Sequence, residues 1–234
     1  PGADEAGALV GYDAALDRIA DILDDAADDL ADGTSFFFAT SLGQGDLGDD
    51  DGSLTVAEYR QVNRALAARV DLYREDWSGA LSALDGSFLD ASGDPETGAY
   101  HTFSTGAGDV LNPFFFPLDG GGDGTLAHPS YVSDIAAGDN RIAKVVQRSA
   151  ARTFDGLTSG YDVGVYTSPT APLPIVTNAE LLLIRAEANA QLSRGAQAKA
   201  DLDRIRTAAG LGPYTGALTT GPLVDEVLRQ RRYE

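Results

Sequence analysis

The C-terminal third of the chain constrains its fold most. Three apolar-rich segments follow one another there: LLLIRAEANAQL (181–192), ADLDRIRTAAGL (200–211) and LVDEVLRQRRYE (223–234). Each carries apolar residues at helical spacing. The first two predict short helices packed as a hairpin. A loop follows, and the third segment predicts a helix interrupted by the end of the sequence. A helix with one apolar face must bury it against another element, so the expected architecture is a stack of helical pairs. The fold class expected is all-α: tetratricopeptide-like helical hairpins with long irregular loops.

A second hairpin is expected upstream. Thr55 followed by Glu58 has the spacing of a capping box, which opens a helix running to about Tyr73. The turn Arg74-Glu75-Asp76 leads into a second helix over about 77–85. Overlaying the two hairpins suggests an internal repeat. Ala68 with Leu72, Trp77 and Ala80 matches Ala188 with Leu192, Gln197 and Ala200. Small residues at both ends of that spacing let facing helices approach closely. The hairpins are expected over 55–90 and 177–211, within one helical domain covering 1–234. Thr177 or Asn178 is expected to cap the second.

The N-terminal part predicts an acidic amphipathic helix over 12–30. Tyr12, Leu16, Ile19, Leu23, Ala26 and Leu30 form its apolar stripe, and Gly33 stops it. Residues 36–40 (FFFAT) are expected as a short buried run. Residues 91–175 are mainly a loop-rich excursion. They contain Pro95, Pro113, Pro117 and Pro129, the tract DGGGDG (119–124), and a basic helix-like segment at 139–148. A region this long without clear periodicity is either functional or an excursion packed on the scaffold.

Composition excludes several functions. The formal charge is −19, from 36 acidic and 17 basic residues. Such a surface repels nucleic acid phosphates and anionic lipid, so no nucleic acid partner is expected. Aspartate dominates the acids and arginine the bases, with only Lys144 and Lys199 as lysines. Acidic, lysine-poor chains stay soluble in high salt, where screening weakens self-repulsion. A salt-loving source is therefore our hypothesis. The melting temperature is expected to rise from low to molar salt, and a flat response would refute it. The chain has no cysteine, which removes disulfides, thiolate metal sites and a cysteine nucleophile. No apolar run approaches the ~20 residues that span a bilayer.

The order of segments resembles one family. Asn178 to Ala188 (NAELLLIRAEA), Asp201 to Arg206 (DLDRIR), Ala209-Gly210-Leu211 and the final LRQRRYE are similar to the RagB/SusD family of surface glycan-binding lipoproteins of Bacteroidetes-type bacteria. Gln230 stands where the family usually has an acidic residue before its paired arginines. Upstream, ALAARVDLYREDWSGAL (65–81) resembles the family's middle hairpin, and HPSY (128–131) with GDNR (138–141) resembles the stretch before the last one. The resemblance implies a tetratricopeptide-like scaffold whose loops build a glycan site. It implies no catalytic activity and a lipid anchor on the outer face of the outer membrane. It also implies an oligosaccharide ligand and a SusC-like TonB-dependent transporter as partner. Family members run to about twice this length. The chain is therefore expected to be a fragment lacking N-terminal and C-terminal parts, with the lipidated cysteine outside it. The alternative is a tetratricopeptide-like adaptor that binds a peptide or protein.

Candidate site residues are few. Sugar C–H faces stack on aromatic rings, and Tyr100, His101 and Phe103 stand in the loop region, so they are the candidate glycan residues. Trp77, at a helix-pair position, is expected in the core. Phe114 to Phe116, between two prolines, are expected to plug the loop onto the scaffold. Arg185 and Glu187 are expected to pair with Arg204 or Arg206 on the facing helix. Asp49, Asp51, Gly52 and Glu58 keep much of a calcium loop, although Leu47 stands at its first ligand position and Glu58 also serves the cap. No cofactor is expected apart from that candidate calcium. GQGDLG (43–48) matches a dinucleotide pattern, but Asp46, Asp49, Asp50 and Asp51 would repel a pyrophosphate, so it is expected to be a flexible loop. His101 and His128 lack the company of a zinc hydrolase motif, and no catalytic residue is assigned.

Overall fold

The computed structural model of the chain describes residues 9–38 and 40–234. Among them are seven α-helices: α1 (Tyr12–Asp32), α2 (Val56–Tyr73), α3 (Trp77–Asp85), α4 (Pro129–Asp134), α5 (Asn178–Gln191), α6 (Gly195–Ala208) and α7 (Thr220–Tyr233). Five strands accompany them: β1 (Gly43–Gln44), β2 (Gly98–His101), β3 (Val145–Phe154), β4 (Leu157–Val163) and β5 (Leu173–Thr177). The helical hairpins are as expected, but the chain is not purely all-α. No helix among the described residues is long and apolar enough to cross a membrane.

Helix α5 is the spine of the stack. It packs on α2 and α3 on one side and on α6 and α7 on the other. Its LLLI run departs from a simple stripe because the helix is buried all round. Leu181 and Ile184 enter the core shared with α2 and α3, while Leu182 and Leu183 enter the core shared with α6 and α7. Each such leucine contributes about 1.5–3 kcal/mol by leaving water. Thr177 is the cap, accepting from the Glu180 backbone N–H. Asn178 instead ties the 90–94 loop down, accepting from Asp90 N at 3.0 Å and donating to Asp90 O at 2.8 Å. Trp77 packs against the first core.

The internal repeat is real, but its register differs from the sequence overlay. Ala68, Ala80, Ala186 and Ala198 are all fully buried, whereas Ala200 is exposed. The twelve-residue spacing therefore runs from Ala186 to Ala198. The hairpin turns fix this alignment. Glu75 (φ 57) and Ser193 (φ 59) both adopt the left-handed conformation, 118 positions apart (75 to 193). The surrounding bonds repeat at the same offset. Arg74 N–H donates to Val70 O and Leu192 N–H to Ala188 O, and Asp76 N–H to Asp71 O and Arg194 N–H to Asn189 O. Overlaying apolar letters misses this, because the turn geometry leaves no side-chain signature of its own.

Helix α1 packs on α2, with Arg64 donating to Leu23 O and pairing with Asp24 at 2.7 Å. Leu16 and Ala27 are buried there, whereas Tyr12 and Ile19 of the expected stripe are exposed. The contact line keeps Leu16 and Leu23 of the predicted stripe and adds Ala27, next to the expected Ala26. The 36–40 run is buried only at Thr40, which accepts from Leu54 N at 2.6 Å. Phe37 is 99% exposed and Phe38 52%, while Phe36 leans on Tyr59; Ala39 lies outside the described residues.

The excursion over 91–175 holds more order than expected. Strands β1, β2 and β5 form an antiparallel sheet, and β3 pairs with β4. The basic segment at 139–148 is helical only over a short 3-10 helix (Asn140–Lys144) and then runs into β3. The hairpin turn is Asp155-Gly156, with φ 48 and 82. Asp-Gly between strands is the sequence signal for such a turn, and the helical spacing of the basic residues masked it. In the other sheet Gly98 is required. A Cβ there would lie 2.2 Å from Val176 O, so no other residue lets β2 approach β5.

Arg185 and Glu187 pair differently from expectation. Arg185 forks onto Asp201 of α6 at 2.6 and 2.9 Å, and Glu187 pairs with Arg231 of α7. Arg204 and Arg206 point elsewhere, to Gly93 O and to Glu226. Glu187 is placed to reach α7 because α5 is flanked on both sides.

Candidate functional site: an aromatic cleft beside the helical stack

A cleft of about 880 Å³ opens where α2, α5 and β5 meet the loop over 164–172. Its position follows from one buried side chain. Asn112 is 4% exposed, and its Nδ2 donates to Ala171 O at 2.7 Å while its N–H donates to Pro169 O at 2.8 Å. Its Oδ1 accepts from Phe114 N at 2.8 Å. A buried amide with its bonds satisfied holds both loops in one geometry. Asn112 anchors this loop; of the phenylalanines expected to do so, Phe115 and Phe116 are half-buried and Phe114 is not. Phe114 is 53% exposed and lies against Tyr166, with ring centroids 6.3 Å apart and planes tilted by 32°. Tyr166 lines the cleft, as does the exposed Tyr73 of α2.

The charged lining is largely self-neutralised. Arg69 forks onto Glu180 at 2.5 and 2.7 Å and donates to Ile175 O at 2.6 Å. Burial works against its charge, yet Glu180 outweighs that and holds the guanidinium above its usual range. Arg231 is paired with Glu187, and Lys144 donates to Tyr233 O at 2.9 Å. Asp94 and Glu96 are exposed carboxylates that no cation among the described residues pairs. The chemistry on offer is noncovalent: ring faces for sugar C–H surfaces, and carboxylates, hydroxyls and backbone groups for hydrogen bonds.

The three candidate glycan residues fall in different places. Tyr100 borders the cleft, but it is 6% exposed and its hydroxyl donates to Glu96 O at 2.7 Å. Burial, then the Glu96 and Asp94 charges, push its phenol well above the usual range. Phe103 is buried, and His101 is exposed with its ring edge-on to Phe103 at 4.6 Å. Neither lines the cleft. Tyr166 and Asn112 escaped the sequence reading. The Asn112-Pro113 dipeptide was the available turn signal for the loop, but nothing local announces a contact across 59 residues.

The candidate calcium residues are engaged in local hydrogen bonds. Glu58 accepts from Thr55 N at 2.8 Å, Thr55 Oγ1 at 2.7 Å and Gly48 N at 3.3 Å. The Thr55 hydroxyl and N–H hold its carboxyl below the usual range. Asp51 accepts from Ser53 N. No group of three or more metal-ligating side chains forms among the described residues, Asp49, Asp51 and Glu58 included. The capping box takes the carboxylate that a calcium loop needs. The GQGDLG segment is a packed turn, with Leu47 in the core, rather than a free loop. His128 caps α4, its Nδ1 accepting from Ser130 N.

Two of the segments that carry the family resemblance, HPSY and GDNR, form a clamp with the end of α7, while residues of the hairpin segments, among them Tyr73 and Glu180, line the cleft. Arg141 of GDNR is 6% exposed and bonded to Asp139, Gln230 and Glu234. Tyr131 of HPSY donates to Arg141 O and stacks edge-on against Tyr233, centroids 4.9 Å apart. The clamp fastens the excursion to α7 and so closes one end of the cleft wall.

Residues 163–234 match the family model described as the SusD family. No curated protein matches the sequence. Among solved structures, the chain is similar to surface glycan-binding protein A from Bacteroides uniformis, at 18% identity and a TM-score of 0.62, covering 99% of this chain and 56% of that one. It is also similar to a SusD superfamily protein from Bacteroides vulgatus ATCC 8482, at 16% identity and a TM-score of 0.59, covering 97% and 55%. A SusD-like carbohydrate binding protein from the same strain matches at 15% identity with a TM-score of 0.58, covering 93% and 48%. The chain thus spans about half the length of these structures.

Proposed function

We propose that this chain, a SusD-family protein by its sequence over residues 163–234 and by its fold, binds an oligosaccharide in the cleft beside its helical stack. The observation that carries the reading is the pair of tyrosines that line the cleft, Tyr73 and Tyr166, with Phe114 against Tyr166 and the adjoining loop fixed by Asn112. Aromatic faces carried on ordered elements give a sugar apolar contact at low ordering cost. The reading is supported further by the carbohydrate-binding names of two similar structures. No step in it requires a bond to form or break, so the role is capture and not turnover.

In the cell, the role proposed is nutrient capture on the outer face of the outer membrane. A lipid anchor outside this chain would hold the protein there, and a SusC-like TonB-dependent transporter would receive the sugar. The peptide-adaptor alternative is less favoured. Adaptor arrays repeat every ~34 residues, whereas the hairpins here recur after 118 (75 to 193) with the excursion between them.

Tyr166→Ala and Phe114→Ala test the site. Each is expected to weaken oligosaccharide binding at least about tenfold, near 1.4 kcal/mol, in calorimetry against a panel of soluble glycans. Melting curves serve as the control for folding. Unchanged affinity in both variants would remove the cleft from consideration.

A further inference from the structure

We infer that the cleft selects uncharged oligosaccharides and excludes those carrying carboxylates or sulfates. The inference rests on the glycan reading above and concerns the class of sugar. Every cation in the lining is already matched. Arg69 is forked onto Glu180 and capped by Ile175 O. Arg231 is paired with Glu187, and Lys144 lies 3.9 Å from the Glu234 carboxylate while donating to Tyr233 O and Glu234 O. The Nη2 of Arg231 has no hydrogen-bond partner, but it is shut away from solvent, so a ligand carboxylate does not reach it. The unmatched charges in the lining are the carboxylates of Asp94 and Glu96, both on exposed residues.

An anionic sugar entering this cleft loses hydration without gaining a counter-charge, and it meets like charges. The molecular charge of −19 adds a repulsive field around the mouth. Neutral sugars meet the opposite situation. Their hydroxyls donate to carboxylates without a counter-charge, which make stronger hydrogen bonds than neutral acceptors, and their C–H faces lie on Tyr166 and Tyr73.

The test is calorimetric titration of the whole chain with two sets of oligosaccharides at low salt. One set is neutral (gluco-, xylo-, manno- and fructo-oligosaccharides). The other is acidic (oligogalacturonates and alginate oligomers). The best neutral sugar is expected to bind at least about tenfold tighter than any acidic one, and the gap should narrow near 1 M salt, where the screening length falls to about 3 Å. Glu96→Lys, at an exposed side chain, is expected to narrow the gap at low salt. Acidic sugars binding as tightly as neutral ones would overturn the inference while leaving the glycan reading in place. A gap that ignores both salt and Glu96→Lys would overturn the electrostatic cause. Binding to neither set would overturn the glycan reading itself, and this inference with it.

Discussion

Arg141→Ala is expected to cost about 3–5 kcal/mol of folding stability, the range for stranding one partner of a buried ion pair. That is a large part of the ~5–15 kcal/mol that holds a typical domain together. Arg141 and Asp139 have side-chain exposures of 6% and 1%. The guanidinium donates to both Asp139 oxygens, at 2.9 and 2.7 Å, and to Gln230 Oε1 at 2.7 Å. It also lies 5.7 Å from the Tyr233 ring centroid. Removing it leaves Asp139 buried and uncompensated, and releases the 138–144 segment from α7.

The same pair sets a pH dependence. Burial raises the Asp139 carboxyl, but the bonds and charge of Arg141 outweigh it, so the group sits below its ordinary 3.8. A depressed carboxyl contributes stability that is present above the unfolded value and lost as pH falls through the folded one. Below about pH 4, the parent is therefore expected to lose stability that Arg141→Ala has already lost. Urea unfolding at pH 6 and at pH 3 measures both. Equal midpoints for parent and variant at pH 6 would show that the clamp is dispensable.

Ala198→Leu is expected to cost about 1–3 kcal/mol, the cost of overpacking a filled interface. Ala200→Leu, two residues on, is expected to stay within about 0.5 kcal/mol. Ala198 is fully buried on α6, whereas Ala200 is exposed. The pair of variants distinguishes the two possible registers of the internal repeat. The overlay that matches Ala80 with Ala200 predicts the reverse ranking, and chemical denaturation of both variants decides it. A larger loss in Ala200→Leu would contradict the alignment fixed by Glu75 and Ser193.

Much of the scaffold was legible because its signals are local. The Thr55–Glu58 capping box, the turn at 74–76 and the Thr177 cap rest on contacts within a few residues. The same local reading erred wherever a second element chose between faces. The apolar letters of α1 allow two neighbouring stripes, and packing on α2 selects Leu16 and Ala27 over Tyr12 and Ile19. The Phe36–Phe38 run looks like a core segment, yet two of its rings face solvent. The Glu58 carboxylate serves the helix cap, one of the two roles its sequence position allowed.

What the chain determines by itself is the set of helices and their hairpin pairing, since periodicity, caps and turns act over one or two helical turns. What only the tertiary structure decides is the cleft. Its lining joins Arg69 to Glu180, and its wall joins Asn112 to Ala171. These contacts span 111 and 59 residues along the chain. Such distant contacts carry no period and no spacing rule. They exist because the neutralised ion pair and the satisfied buried amide are the states in which those polar groups can leave water.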